Sequence, residues 1–268
     1  MTMQQTTGRF SSGRLLTGAP AYAARTPWSW WSAIGMGFVV LIAATALSIP
    51  IAIGAMTIGT PDLGRVFGDE KAVRSAFEAP VVMAATMLGW QVAIVLFTLL
   101  IARWYGGLRR EVLALQTFPH WQTIVLAIIG GMLLTLPFDI LGLTYFKDTV
   151  KADTSSFIPM VKSQWWPFFA LAITVGAPLS EEILFRGFLQ SALAKTGIGF
   201  IGATLLTAVG WTALHVQYSW FGLAQVFVIG LYFSWLLWRS GTLWLPIIVH
   251  AVYNTLSFTL LKTGVIGG

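Results

Sequence analysis

The sequence is poorest in charge and in sulfur chemistry. It has no cysteine, so disulfides, thiolate nucleophiles and cysteine-zinc sites are excluded, and either redox compartment is allowed. Only 10% of its 268 residues are charged, whereas a soluble domain has about 25%. Charge this sparse cannot cover a water-facing surface. There are three histidines, ten acidic residues, and no Asp or Glu after Glu182. What is abundant is apolar: 56% hydrophobic residues and a mean hydropathy of +0.77. The composition specifies an all-α, polytopic transmembrane helix bundle whose solvent is largely the lipid bilayer.

The formal net charge of +6 does not indicate nucleic acid, because the basic residues are scattered over tails and loops. Residues 1–32 form a polar tail with Arg9, Arg14 and Arg25, and read as disordered. They run into an interfacial belt of Trp28, Trp30 and Trp31. The bundle occupies 33–268. Its first apolar run, about 33–58, is too long for a signal-peptide core of roughly 7–15 residues and reads as an uncleaved anchor.

Crossing a roughly 30 Å hydrocarbon core takes about 20 apolar residues. By that measure the spans are about 33–58, 80–103, 122–146, 165–190, 198–216, 219–238 and 243–261, seven in all. The charged 60–79 segment (Asp62, Arg65, Asp69, Glu70, Lys71, Arg74, Glu78) reads as a solvated loop, or as an eighth, re-entrant piece. With the N-terminus inside, eight basic residues fall on the cytoplasmic side and seven opposite. The seven are diluted by acids, and the first tail usually dominates, so a cytoplasmic N-terminus is expected.

The string Gly197-x-Gly199-x-x-Gly202 matches a dinucleotide fingerprint only as letters. It lacks the preceding strand and the later acid for the ribose, so no nucleotide cofactor is expected. A loop turn or close helix packing explains it better.

Chemistry concentrates in the fourth span, Pro178-Leu-Ser-Glu-Glu-Ile-Leu-Phe-Arg-Gly187. A charge at a helix centre costs about 2.5–3.5 kcal/mol on insertion scales, so such residues either pair or work. Glu182 and Arg186 are i and i+4, share a face, and can pair as a helix-end ion pair. Glu181 points about 100° away and stays available. His215 lies late in the fifth span, after Trp211. His250 and Asn254 are i and i+4 in the seventh. His120, beside Pro119 and Trp121, reads as interfacial, and Asp139 as interfacial or helix-capping.

Depth offers a test. If Lys195 and Arg239 mark one membrane face, a rise of about 1.5 Å per residue puts Glu181 roughly 20 Å from it and His215 roughly 25 Å. His250 and Asn254 lie roughly 12–20 Å away, so the four can converge. A buried glutamate can serve as general base on water, and a histidine can share that water. A second histidine and an amide can donate to an oxyanion. These are the parts of peptide hydrolysis without a serine nucleophile. Glu181, His215 and His250 equally match a three-ligand zinc site with an open position.

At these residues the sequence resembles the CPBP family (CAAX protease and bacteriocin-processing, or Abi) of intramembrane endopeptidases. The family's Glu-Glu-x-x-x-Arg motif corresponds to Glu181, Glu182 and Arg186. Its Phe-x-x-x-His motif corresponds to His215, with Trp211 in place of phenylalanine. Its His followed by Asn or Asp at i+4 corresponds to His250 and Asn254. The resemblance covers about 165–260. It implies that Glu181 and His215 activate water, that His250 and Asn254 stabilise the oxyanion, and that Glu182 and Arg186 orient them. It implies a membrane-associated peptide or protein substrate and a multi-pass protein, expected in a bacterial inner membrane. Family members are commonly called metalloproteases, so zinc stays open beside metal-free hydrolysis, which the asparagine favours.

No His-Glu-x-x-His and no Gly-x-Ser-Gly occur, and no Gly-x-Gly-Asp accompanies Asp139, which argues against other protease architectures. Two further classes stay open: a non-catalytic immunity or scaffold protein that keeps the polar core for packing, and a proton-coupled transporter using Glu181 and the histidines as a relay.

Overall fold

A computed structural model describes residues 12–59, 63–106 and 109–266, so Arg9 and Asp62 lie outside the described residues. Among these residues the fold is helical throughout. The helices are α1 (Ser12–Thr17), α2 (Trp30–Gly59), α3 (Leu63–Phe67), α4 (Glu70–Phe77), α5 (Pro80–Trp104), α6 (Arg109–Val112) and α7 (Trp121–Tyr145). They continue with α8 (Lys147–Ser155), α9 (Ile158–Lys162), α10 (Trp166–Leu193), α11 (Gly199–Ala213), α12 (Trp220–Ser240) and α13 (Trp244–Lys262). The protein is a multi-pass integral membrane protein.

Six helices, α2, α5, α7, α10, α12 and α13, are long and apolar enough to cross a membrane. The expected fifth span is the exception. Helix α11 has 15 residues, which at about 1.5 Å each reach roughly 22 Å, short of a roughly 30 Å core. Hydropathy runs on to Val216, but the helix stops at Ala213 because His215 turns back to cap it. Its Nδ1 lies 3.0 Å from the Trp211 carbonyl, which also accepts from the Leu214 amide. The 60–79 segment is not a plain loop either. It folds into the short helices α3 and α4, with Asp69 capping α4 through the Lys71 amide.

The fourth span forms one continuous helix, and α10 is the centre of the bundle. It packs against α5 and α2 on one side, α11 on another and α13 on a third, while α7 covers α12 and α13. Two stretches of α10, Ala172–Gly176 and Glu182–Gln190, are wound as wide π-turns. The first ends two residues before Pro178, which has no amide to donate and crowds the turn before it. Wide turns leave backbone carbonyls for other partners, and two are used. Asn254 Nδ2 donates to the Ile173 carbonyl at 2.9 Å, and Trp28 Nε1 to the Phe188 carbonyl at 3.2 Å.

Residues 12–29 differ from the expected disordered tail. Leu15 and Trp28 are fully buried, and Trp28 stacks on Phe188 at 4.6 Å. Arg239 Nε donates to the Leu15 carbonyl at 2.7 Å, and Lys195 Nζ donates to the carbonyls of Thr26 and Trp28. The segment is polar and small-residue rich, so its own side chains give little sign of docking; the bundle supplies the donors. Trp30 and Trp31 are exposed. Gly199 has φ +62°, so the glycine-rich string is a loop turn in which one residue needs the left-handed conformation.

Candidate active site

The motif residues assemble around one side chain, Trp211. Its indole Nε1 donates to Glu181 Oε2 at 2.6 Å. Its ring meets His215 edge-on at 5.1 Å and His250 edge-on at 5.7 Å, and carries the Arg186 guanidinium on its face at 4.5 Å. Gly230 of α12 lets this happen. A Cβ there would lie 2.9 Å from the indole and 3.2 Å from Arg186 Nη2.

Behind Trp211 lies a buried charge network. Glu182 and Arg186 have no solvent exposure and pair at 3.1 Å. Arg186 Nη2 donates to the Gly230 carbonyl at 3.1 Å. Glu182 Oε1 also faces His250 Nδ1 at 3.0 Å, and the His250 ring stacks on Phe233 at 4.7 Å. The network joins α10, α12 and α13. The sequence paired Glu182 with Arg186 but gave no sign that Glu182 also holds His250, which is 68 residues away.

The partners fix the tautomers of both site histidines. A carbonyl or carboxylate oxygen can only accept, so His215 Nδ1 and His250 Nδ1 each carry the proton. Each ring then has Nε2 left over. His215 and Glu181 are half-buried, His250 is buried, and Asn254 is half-buried with its amide on the Ile173 carbonyl of the π-turn. Glu181, His215 and His250 all contact Trp211, and Asn254 stands one helical turn past His250. His120 does not join them. It caps α7, its Nδ1 accepting from the Gln122 amide at 3.4 Å.

Two further residues join the site. Asp153 of α8 holds the turn after α11, its oxygens accepting from the Ser219 amide and hydroxyl at 2.7 Å each. Ser219 in turn caps α12 through the Gly222 amide. Tyr218, in the same turn, lies 5.8 Å from the His215 ring and within electrostatic reach of Glu181 and Asp153. Asp153 left no sequence signal, being 66 residues from its partner and among ordinary loop charges.

A zinc ion does not suit this arrangement. Among the described residues no three His, Asp or Glu side chains converge to hold a metal, and the Glu181/His215/His250 set is spread around the Trp211 indole. One Glu181 oxygen and both Nδ1 atoms already have protein partners.

Comparison with known proteins points the same way as the geometry. Residues 163–256 match the family model described as type II CAAX prenyl endopeptidase Rce1-like. This segment, about a third of the chain, is similar to the CAAX proteases of the CPBP family. The matched segment begins at Ser163, just ahead of α10, and ends at Leu256, two residues past Asn254, so it encloses every residue around Trp211. An uncharacterized 24.3 kDa protein of Escherichia coli is 38% identical over 89 residues, which is 32% of this chain. That match spans 41% of the relative's own length. No solved structure matches the chain.

Proposed function

We propose that this protein is an intramembrane endopeptidase that hydrolyses a peptide bond of a membrane-associated peptide or protein, using water rather than a nucleophilic side chain. The observation that carries the reading is the separation of Glu181 from the charge network beside it. Glu182 is fully buried and holds both Arg186 and His250 on its Oε1, whereas Glu181 is half-buried and, among the described residues, meets the indole N–H of Trp211 on one oxygen. A packing cluster would account for the first glutamate. It would not account for the second, nor for a half-buried His215 with Nε2 left over.

In this reading Glu181 takes a proton from a water that His215 Nε2 helps to hold, and the hydroxide adds to the scissile carbonyl carbon. The carbonyl oxygen becomes an oxyanion. The second N–H of the Asn254 amide can reach it while the first stays on Ile173. His250 donates from Nε2 only as the imidazolium, whose charge then faces the Glu182 carboxylate. The carbon–nitrogen bond breaks as the departing amine receives the proton from Glu181, which restores the carboxylate. Trp211 fixes the carboxylate geometry through its indole N–H. The prenyl endopeptidase description of the family model makes a C-terminal or lipid-proximal cleavage site one candidate, but no residue here reports prenyl recognition. A bacterial inner membrane and a cytoplasmic N-terminus belong to the same proposal.

The test is proteolysis by purified protein in nanodiscs. Wild type and His215→Ala are incubated with a mixture of membrane-anchored peptides, and products are read by mass spectrometry. Wild type is expected to generate new termini, and His215→Ala at least about a hundredfold less at unchanged melting temperature, because positioned acid–base groups contribute about 10²–10⁴. Equal cleavage by both proteins contradicts the assignment of His215. A non-catalytic protein would give no products with either.

A further inference from the structure

The third span contains an acid that the site above does not use. Asp139 is neither a helix cap nor paired with a base: it lies inside α7, six residues before the helix ends, and its side chain is exposed on the outside of the bundle. Gln225 Nε2 of α12 donates to Asp139 Oδ1 at 3.0 Å and also reaches the Tyr253 hydroxyl of α13 at 3.2 Å. Thr135, one turn earlier on α7, stands beside the carboxyl. Three helices therefore each contribute a polar side chain to one strip. No salt bridge to Asp139 exists among the described residues.

Tyr253 relates the strip to the candidate site. Tyr253 precedes Asn254 on α13, and lies within electrostatic reach of both Asp139 and Tyr218. Tyr218 in turn adjoins His215 and faces Glu181 and Asp153. Every ionisable group along this route is an acid or a phenol, apart from His215 itself. The one nearby guanidinium, Arg186, is sealed behind Trp211.

We infer that the Asp139–Gln225–Tyr253 strip is a substrate subsite, and that it receives a lysine or arginine side chain of the peptide segment delivered to Glu181. The inference rests on the endopeptidase reading for what the segment is delivered to. A carboxylate exposed within an apolar span is costly unless it meets a partner, and the residues around this one supply none of positive charge. A peptide that must leave its helix to be cut also exposes backbone N–H groups, which need acceptors where water is scarce. Asp139 and the Gln225 carbonyl are such acceptors. A lipid amine could satisfy the carboxylate alone, but nothing about a headgroup accounts for Gln225 reaching from Asp139 to Tyr253.

Binding and cleavage are measured separately. Binding uses the cleavage-deficient Glu181→Gln protein in phosphatidylcholine nanodiscs. The probes are two membrane-associated Leu/Ala peptides that differ only in carrying one central lysine or one norleucine. The lysine peptide is expected to bind about tenfold more tightly, the scale of a partly desolvated charge pair. Adding Asp139→Asn should bring the two within about twofold, and Asp139→Lys should favour a glutamate-bearing peptide instead. Equal binding of lysine and norleucine peptides overturns the inference, as does a lysine preference that persists in Asp139→Asn. A preference that disappears when phosphatidylethanolamine replaces phosphatidylcholine assigns the strip to a lipid amine, and also overturns it. With an intact Glu181, cleavage of both peptides at equal rates removes the subsite and leaves the endopeptidase standing. A lysine preference in binding with no cleavage of either peptide does the reverse.

Discussion

Helices α7 and α10 are close in length and both cross the bundle, yet they do opposite things. The most apolar stretch of α7 is only 11% buried, that of α10 50%. The more hydrophobic helix is the one facing lipid. Helix α10 is less hydrophobic because it holds Glu181, Glu182 and Arg186, and the protein tolerates them by surrounding them with α5, α11 and α13. In a membrane bundle, then, peak hydropathy marks the wall, and a dip within a long apolar helix marks the site.

That contrast can be broken most forcefully within α10. Glu182→Ala or Arg186→Ala strands a buried partner charge, and each is expected to destabilise the fold by about 3–5 kcal/mol. Unfolding in mixed micelles checks this. Joint replacement by apolar residues of similar volume should recover much of the loss, because the desolvation cost is removed as well. If either single variant melts like wild type, α10 is not held by its charge network.

A smaller effect is expected where α12 approaches the site. Gly230→Ala puts a methyl group 2.9 Å from the Trp211 indole. Overpacking of this kind costs about 1–3 kcal/mol, and here it also displaces the group that holds Glu181. Cleavage should therefore fall by more than the stability loss accounts for, which parallel melting and activity measurements on one preparation would show. The smallest effect belongs to the wall. Leu133 on α7 is 64% exposed, and Leu133→Ala should change stability by no more than about 0.5 kcal/mol and leave cleavage alone.

Much of α10 was legible in the sequence. Its apolar length predicts a single helix, and the i, i+4 spacing separates the Glu182–Arg186 pair from Glu181. The end of α11 was not legible, because the apolar run continues to Val216 while the stop depends on His215 folding back onto the Trp211 carbonyl. The docking of residues 12–29 was hidden for a related reason: its donors, Lys195 and Arg239, sit far along the chain. In the sequence Trp211 stands only in place of a phenylalanine, and its larger part, the indole N–H on Glu181, required the fold to bring positions 30 residues apart into contact. Local periodicity reports which face a residue takes. It cannot report which distant partner waits on that face.

Glu181 is the group on which hydrolysis depends most directly in the proposed mechanism. Purified Glu181→Gln protein and wild type, matched for melting temperature in the same nanodiscs, are compared in a single-turnover cleavage of one membrane-anchored peptide that wild type cuts. Glutamine can still accept the Trp211 indole N–H but cannot take a proton from water, so the account predicts a loss of at least about a hundredfold. Cleavage at the wild-type rate would contradict it.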